Sequence, residues 1–353
     1  MVEVKVTMEV GNDGVAIITI SNPPVNALAI PILAGLKEKY TEAMRRDDVK
    51  AIVVIGKGGK FSGGFDINVF QSVHKTGDIS GLPDESVDLF VNTIEDAKKP
   101  SVAAIEGLAL GGGLELAMCC HARIAAPKTQ LSLPELSLGI IPGFGGTTAV
   151  LSKPIIAEEG RKLGLIDAVV PSEELLKVAR KWALDILERR KPWIRSLHRT
   201  DKLGSLSEAC DVLKMARQQA KQTAPIMPQR QACLDVIEEG IVHGGYSGVL
   251  KEAKVSKQLV LSDVSKGLVH VFFAQRTTSK IPAVTNVGLK PRPIKKVAVI
   301  GGGLMGSGIA TALILSDIYV VLKEINSEYL LKGIKSIEGS QLVHRRGTIF
   351  VCS

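Results

Sequence analysis

Aromatic residues make up only 4% of this 353-residue sequence. So small a supply leaves little for the stacking platforms that bind single-stranded nucleic acid. The five cysteines, Cys119, Cys120, Cys210, Cys233 and Cys352, include no CxxC pair and no disulfide-like spacing. A reducing compartment is therefore the default reading, and no metal site is expected. No apolar run reaches the roughly 18 residues that would cross a bilayer, so no membrane span is expected. The first residues, MVEVKVTMEVGNDG, alternate apolar and polar side chains and carry acids, unlike a signal peptide or an Arg-rich transit peptide. Acid is the scarcer charge: 36 Asp and Glu against 44 Lys and Arg leave a formal +8. A basic excess suits nucleic acid, a membrane surface or a phosphorylated small molecule. Most cations are interleaved with acids, as in Lys37-Glu38-Lys39 and Arg45-Arg46-Asp47-Asp48. Only Arg189-Arg190-Lys191 and the stretch 290–296 form clusters. Most of the charge is thus expected on a solvated face, with nucleic-acid binding weak if present.

What is there is ordinary for a globular protein, 45% hydrophobic and 23% charged, and long enough for about two domains. Segments 6–10 and 15–20 alternate around GNDG and predict a hairpin. Residues 31–44 have helical periodicity. AIVVI (51–55) predicts a buried strand closed by a glycine-rich turn. A helix is expected over 86–97, then short strands at 102–105, 124–126 and 131–133, so that residues 1–150 read as one α/β unit. Helical patterns follow at 173–188, 205–222 and 250–273. The stretch TNVGLKPRPIKK (285–296) has the polar, proline-bearing texture of a linker and places a boundary near 290. Beyond it the strand VAVI feeds Gly301, Gly303 and Gly306, a helix opens, and Glu324 ends the next strand. That order is a dinucleotide signature. Gly301 and Gly303 would allow the tight turn and close approach of a pyrophosphate, and Gly306 close packing of helix on strand. Glu324, with no arginine beside it, would bond a ribose diol and favour NAD. The alternative is a turn that binds nothing.

The stretch GLALGGGLELAM (107–118) is odder. Glycine is a poor way to begin a helix, unless something must lie against the bare main chain. Exposed N–H groups at a helix start suit an anion or a polarised carbonyl oxygen. A second exposed turn, FSGGFD (61–66), lies upstream, and amides from the two turns on one oxygen would form an oxyanion hole. Glu115 and Glu135 are lone acids in apolar runs. Such acids have shifted pKa values and serve in proton transfer. Equally, Glu115 could face solvent and Glu135 could cap a turn; spacing alone leaves both readings open.

Residues 3–290 resemble the crotonase (enoyl-CoA hydratase/isomerase) superfamily. The resemblance is carried by NPPVNAL (22–28), KFSGGFDI (60–67), GLALGGGLELAM (107–118) and LPELSLGIIPGFGGT (133–147). Together with GGGLMGSGIATA (301–312), nearly the whole chain resembles the plant peroxisomal (glyoxysomal) β-oxidation multifunctional proteins. Those join a hydratase/isomerase half to a 3-hydroxyacyl-CoA dehydrogenase half. The resemblance implies an α/β fold: a crotonase-like ββα spiral with a helical extension, followed by a partial Rossmann NAD-binding unit. It implies that Glu115 and Glu135 hold one water between them, Glu115 as the base and Glu135 as donor to the α-carbon of a trans-2-enoyl thioester. Glu135 alone would shuttle the proton in isomerisation. The amides of Gly63 and Gly112 would receive the thioester oxygen as enolate charge develops. Acyl-CoA is then the partner, with coenzyme A as part of the substrate and its phosphates matching the basic excess. His121 is expected to be a packing residue.

The implied domains are 1–200 (hydratase/isomerase), 201–289 (helical extension and linker) and 290–353 (the start of the dehydrogenase NAD-binding domain). The chain departs from the family twice. After PGFGGT it runs through Thr148-Ala149-Val150-Leu151 directly into Ser152-Lys153-Pro154-Ile155, where the family has a further helix. This predicts lower stability and activity than with the helix restored. The tail QLVHRRGTIFVCS (341–353) does not resemble the family and lacks an SKL-like peroxisomal tripeptide. The chain therefore reads as truncated, without 3-hydroxyacyl-CoA oxidation. Peroxisomal location follows from the resemblance, and a cytoplasmic one from the missing tripeptide. The rival class is a non-catalytic acyl-CoA or RNA binder that keeps the fold.

Overall fold

Strands β1 (Lys5–Val10) and β2 (Val15–Ser21) pair antiparallel across the Gly11–Gly14 turn, as the alternation predicts. They come from a computed structural model describing residues 4–80, 82, 87–146, 154–201, 203–278, 280–285, 287, 289 and 292–339, with the backbone of 350 and 351. The chain forms two compact units, Met1–Arg276 and Thr277–Ser353. The passage 147–153, where a helix is expected to be missing, lies outside the described residues, as does most of the tail.

In the first unit β2 continues parallel into β3 (Ala51–Gly56), β4 (Ser101–Ile105), β6 (Ala122–Ala125) and β9 (Ala168–Val169), giving the order β1-β2-β3-β4-β6-β9. Strands β3 and β4 read as unbroken apolar runs because both faces are covered. Alternate residues divide between two cores. Ile18, Ile52, Val54, Ala103 and Ile105 pack with helix α1 (Ile30–Arg45), while Val53, Val102, Ala104 and Ile124 pack with helix α5 (Leu175–Leu187). The helix expected over 86–97 is a π-helix, Asp88–Glu95, in which the Asp96 N–H reaches the Val91 carbonyl at 2.9 Å.

After β4 the chain leaves the large sheet. Strand β5 (Leu108–Leu110) pairs with β7 (Gln130–Ser132), and β7 with β8 (Ile155–Ile156), in a small second sheet. Helix α3 (Gly112–Cys119) starts directly off β5 and is buried along its whole length. The short 3-10 helix Pro134–Leu138 follows β7. Both carboxylate-bearing elements are therefore launched from neighbouring strands of one small sheet.

Helix α2 (Asn68–Thr76), absent from the sequence expectations, and helix α4 (Ala157–Leu163) complete this part. The extension comprises α6 (Leu206–Thr223), α7 (Pro228–His243), α8 (Gly245–Val260) and α9 (Asp263–Thr278). Ser205 and Glu208 form a capping box on α6. Val260 and Val269 pack with Phe70, Leu138 and Ile140, so the extension covers the apolar side of the 3-10 helix.

The second unit has parallel strands β10 (Lys296–Ile300), β11 (Tyr319–Lys323) and β12 (Phe350–Val351), with helices α10 (Leu304–Leu315) and α11 (Ser327–Glu338). Its core is Val299, Ala310, Ile314, Val320, Leu322 and Ile337. Asn326 caps α11 by accepting the Tyr329 N–H.

Candidate active site

Each glycine of the triplet answers a different constraint. Gly111 sits at φ 49°, and a Cβ there would come within 2.6 Å of the Glu135 Oε1. A Cβ on Gly113 would stand 2.6 Å from the Ser62 carbonyl oxygen. Gly112 faces the cavity, and a Cβ on it would rest in ordinary contact with Leu28, Phe144 and the Phe65 nitrogen, 3.5 Å away. The turns 61–66 and 111–113 thus lie side by side.

The amide facing Gly112 is Phe65's. The Gly63 N–H is already bonded to the Val25 carbonyl at 2.7 Å, which takes it away from the cavity. The Gly64 N–H goes to the Ser62 hydroxyl at 3.1 Å. Leu28 and Phe65 form a parallel bridge through the Leu28 N–H and the Gly64 carbonyl, and this directs Phe65's own N–H to the other side. Among the described residues no partner takes that N–H. The expectation for Gly63 is therefore corrected: within the motif, the unengaged donor is two residues later.

Glu115 is 1% exposed, which removes the solvent-facing alternative. Its Oε1 accepts the N–H groups of Phe144 and Gly146 at 2.8 and 2.9 Å. Burial, followed by the charges of Glu135 and Glu252, pushes its pKa well above the usual carboxylate range, while those two amides pull the other way. Glu135 projects from the 3-10 helix into the same cavity. Its carboxyl oxygen Oε2 is buried and meets no donor among the described residues. Burial first, then the Glu252 charge, raises its pKa to about 8. Both acids line one cavity with Gly112 and Phe65, whose apolar wall includes Phe70, Leu138, Ile140 and Val260.

Two groups near these acids escape the sequence reading: the Phe65 amide and Glu252. Glu252 is fully buried on α8, and its Oε1 accepts the Gly145 N–H at 2.5 Å. His121 is a buried packing residue. Its Nδ1 accepts the Ser101 N–H at 2.9 Å, its Nε2 donates to the Glu95 carbonyl at 3.0 Å, and burial pushes its pKa down to about 4.

In the second unit Gly301 has φ 94° and a Cβ on Gly303 would meet nothing, so the turn between β10 and α10 is open to a close ligand. A Cβ on Gly306 would overlap the Gly301 carbonyl, at 1.7 Å, so only glycine lets α10 approach the strand. Glu324 accepts the Gly302 N–H, which holds its carboxyl below the usual range. Ile300 at the end of β10, Leu304 at the start of α10 and Ile325 just past β11 are 85%, 90% and 85% exposed, an apolar rim beside the turn. These residues fit a dinucleotide.

Residues 10–225 match the family described as enoyl-CoA hydratase/isomerase. The chain belongs to the enoyl-CoA hydratase/isomerase family. Residues 296–349 match the NAD binding domain of 3-hydroxyacyl-CoA dehydrogenase. The chain is 70% identical over 352 residues to the peroxisomal fatty acid beta-oxidation multifunctional protein AIM1 of Arabidopsis thaliana, covering 96% of this chain and 49% of that protein. It is 65% identical over 348 residues to the peroxisomal fatty acid beta-oxidation multifunctional protein of Oryza sativa subsp. japonica, covering 95% and 48%. The chain thus spans about half the length of the curated relatives it matches. Among solved structures, an enoyl-CoA hydratase/isomerase from Pseudoalteromonas atlantica T6c superposes with a TM-score of 0.54 at 20% identity, over 77% of this chain and 97% of that one. That likeness concerns the fold, which is the crotonase fold. Among the described residues no helix is long and apolar enough to cross a membrane.

Proposed function

We propose that the chain adds water to trans-2-enoyl-CoA in fatty acid β-oxidation, giving 3-hydroxyacyl-CoA, and that Glu135 alone moves the proton when an enoyl-CoA is isomerised. The observation that carries this reading is the convergence of buried Glu115, the buried carboxyl oxygen of half-buried Glu135 and two backbone amides on one apolar cavity. Three acids in a low-dielectric site cannot all be ionised, so the centre retains at least one proton near neutrality. Two amide donors favour the anion at Glu115, and the unpartnered Oε2 leaves the proton to Glu135. Water oxygen then bonds to C3, its proton passes to Glu115, and Glu135 gives its proton to C2. The thioester oxygen, negative in the transition state, is met by the amides of Gly112 and Phe65, each such donor being worth about 2.7–4 kcal/mol. Transfer of a proton from Glu115 back to Glu135 resets the centre. The apolar wall takes the acyl chain, and surface cations take the coenzyme A phosphates.

In the second unit Gly301, Gly303 and Gly306 would seat the pyrophosphate of NAD and Glu324 its ribose. A bound nicotinamide supplies a hydride acceptor. We assign 1–200 to the hydratase/isomerase domain, 201–289 to the extension and linker, and 290–353 to the first part of the dehydrogenase NAD-binding domain. Peroxisomal residence is proposed from the names of the relatives. The test is hydration of crotonyl-CoA by the purified chain, followed as loss of the conjugated enoyl thioester absorbance. Binding of crotonyl-CoA without turnover would favour the non-catalytic alternative.

A further inference from the structure

Three successive amides of one turn are divided between two carboxylates. The N–H groups of Phe144 and Gly146 go to Glu115 Oε1 at 2.8 and 2.9 Å, and the N–H between them, of Gly145, goes to Glu252 Oε1 at 2.5 Å. Gly145 has φ 101°, which lets the middle amide turn away from its neighbours. Phe144 and Glu115 line the cavity, whereas Gly145 and Glu252 do not. Glu252 therefore acts on the centre through the turn and through its charge, without touching substrate. Burying a carboxylate is costly, and an amide donor alone would be satisfied by a neutral acceptor. A fully buried glutamate at this place points to use of the charge.

We propose that Glu252, carried in by the helical extension, is a positioning residue of the hydratase/isomerase centre: it clamps the Gly145 amide, thereby aiming the Phe144 and Gly146 amides at Glu115, and keeps a negative charge beside the Glu115 and Glu135 pair. That charge opposes ionisation of both acids. Among the described residues, the other titratable groups around the pair include Cys119 of α3, whose thiol is pushed up by burial and then by Glu95, Cys120 and Glu115, Cys233 of α7, whose thiol is pushed up to about 12 by burial and then by Glu252 and Glu135, and Lys257 on the cavity wall. The kinetic consequence rests on the hydration reading; the electrostatic one does not.

The test compares the full-length wild type with Glu252→Gln, which keeps an acceptor for Gly145 and loses the charge, and with Glu252→Ala, which loses both. Carboxyl-labelled glutamate is followed by NMR against pH, with Glu135 assigned through Glu135→Gln. In Glu252→Gln the Glu135 midpoint moves to lower pH, and an unchanged midpoint overturns the proposal whether or not any variant turns over. On crotonyl-CoA, Glu252→Ala lowers kcat by about 10²-fold with little change in KM, as expected when a catalytic group is misplaced through its support. Glu252→Gln recovers most of kcat near neutrality, with the alkaline limb of its profile moved to lower pH. Wild-type kcat in Glu252→Ala, or a change confined to KM, overturns the positioning role. Failure of the wild type itself to hydrate crotonyl-CoA would refute the function proposed above, leaving the NMR midpoint to judge Glu252.

Discussion

The centre depends on where single N–H groups and single carboxyl oxygens point. Glu115→Gln and Glu135→Gln should each lower crotonyl-CoA hydration by about 10²–10⁴-fold, the usual range for loss of a general acid or base. Acyl-CoA affinity, measured by titration calorimetry, should change only a few-fold. Wild-type turnover in both variants would remove the assigned roles. Gly112→Ala would set a methyl over the Phe65 nitrogen and should reduce kcat by about 10²–10³-fold, the effect of losing one oxyanion donor. Glu115 and Glu135 stand out as lone carboxylates in apolar runs, but spacing leaves their roles open and only the motif resemblance proposes them as base and acid. The second amide was not legible. Main-chain donors carry no letter of their own, so the motif KFSGGFDI (60–67) identified the turn but not the N–H, and Gly63 proved to be committed to Val25. Glu252 was hidden differently: Lys251-Glu252-Ala253-Lys254 has the pattern of a solvated helix face, and only the packing of α8 reveals that its acid is buried.

Among the elements, the strands were the easiest to read, since 51–55 and 102–105 are short apolar runs that lead into glycine-bearing turns. Helices were harder to delimit. Residues 250–273 have one continuous period, yet α8 and α9 are separate, with Leu261 and Ser262 between them. Helix α7 was missed although Pro228 in its first turn is a start signal. Its periodicity is weak because polar residues such as Gln229 are buried among the apolar ones. The π-helix at Asp88–Glu95 shifts the apolar face in a way that a helical pattern does not register. An element remote from the cavity makes a useful control. Ile186 on α5 is 1% exposed in the core beneath the large sheet. Ile186→Ala should destabilise the first unit by about 2–5 kcal/mol, seen as a lower midpoint in denaturant, while kcat per folded molecule stays unchanged. An equal loss of kcat would mean that α5 is coupled to the site.

At the scale of the whole molecule, two units with separate cores carry two separate family matches, to residues 10–225 and 296–349. The texture change near 290 falls between those two matched stretches, whereas the compact units divide between Arg276 and Thr277. Many of the cations are paired locally with acids, as Arg46 is with Asp48 at 2.6 Å and Arg199 with Asp201 at 2.8 Å, so little of the basic charge forms a continuous patch. Any binding to RNA should therefore be weak and should fall steeply as salt rises, in gel-shift titrations at several ionic strengths. Tight, salt-resistant and sequence-selective binding would instead favour a nucleic-acid function.

The pH dependence of crotonyl-CoA hydration by the full chain tests the central claim most directly. Glu135 must hold its proton to deliver it, and burial raises its pKa to about 8. The rate should therefore be sustained around neutrality and fall as pH rises through about 8, and Glu135→Gln should lack that alkaline fall along with most of the rate. A rate that climbs through the same range, or a wild-type alkaline limb that survives in Glu135→Gln, would contradict it.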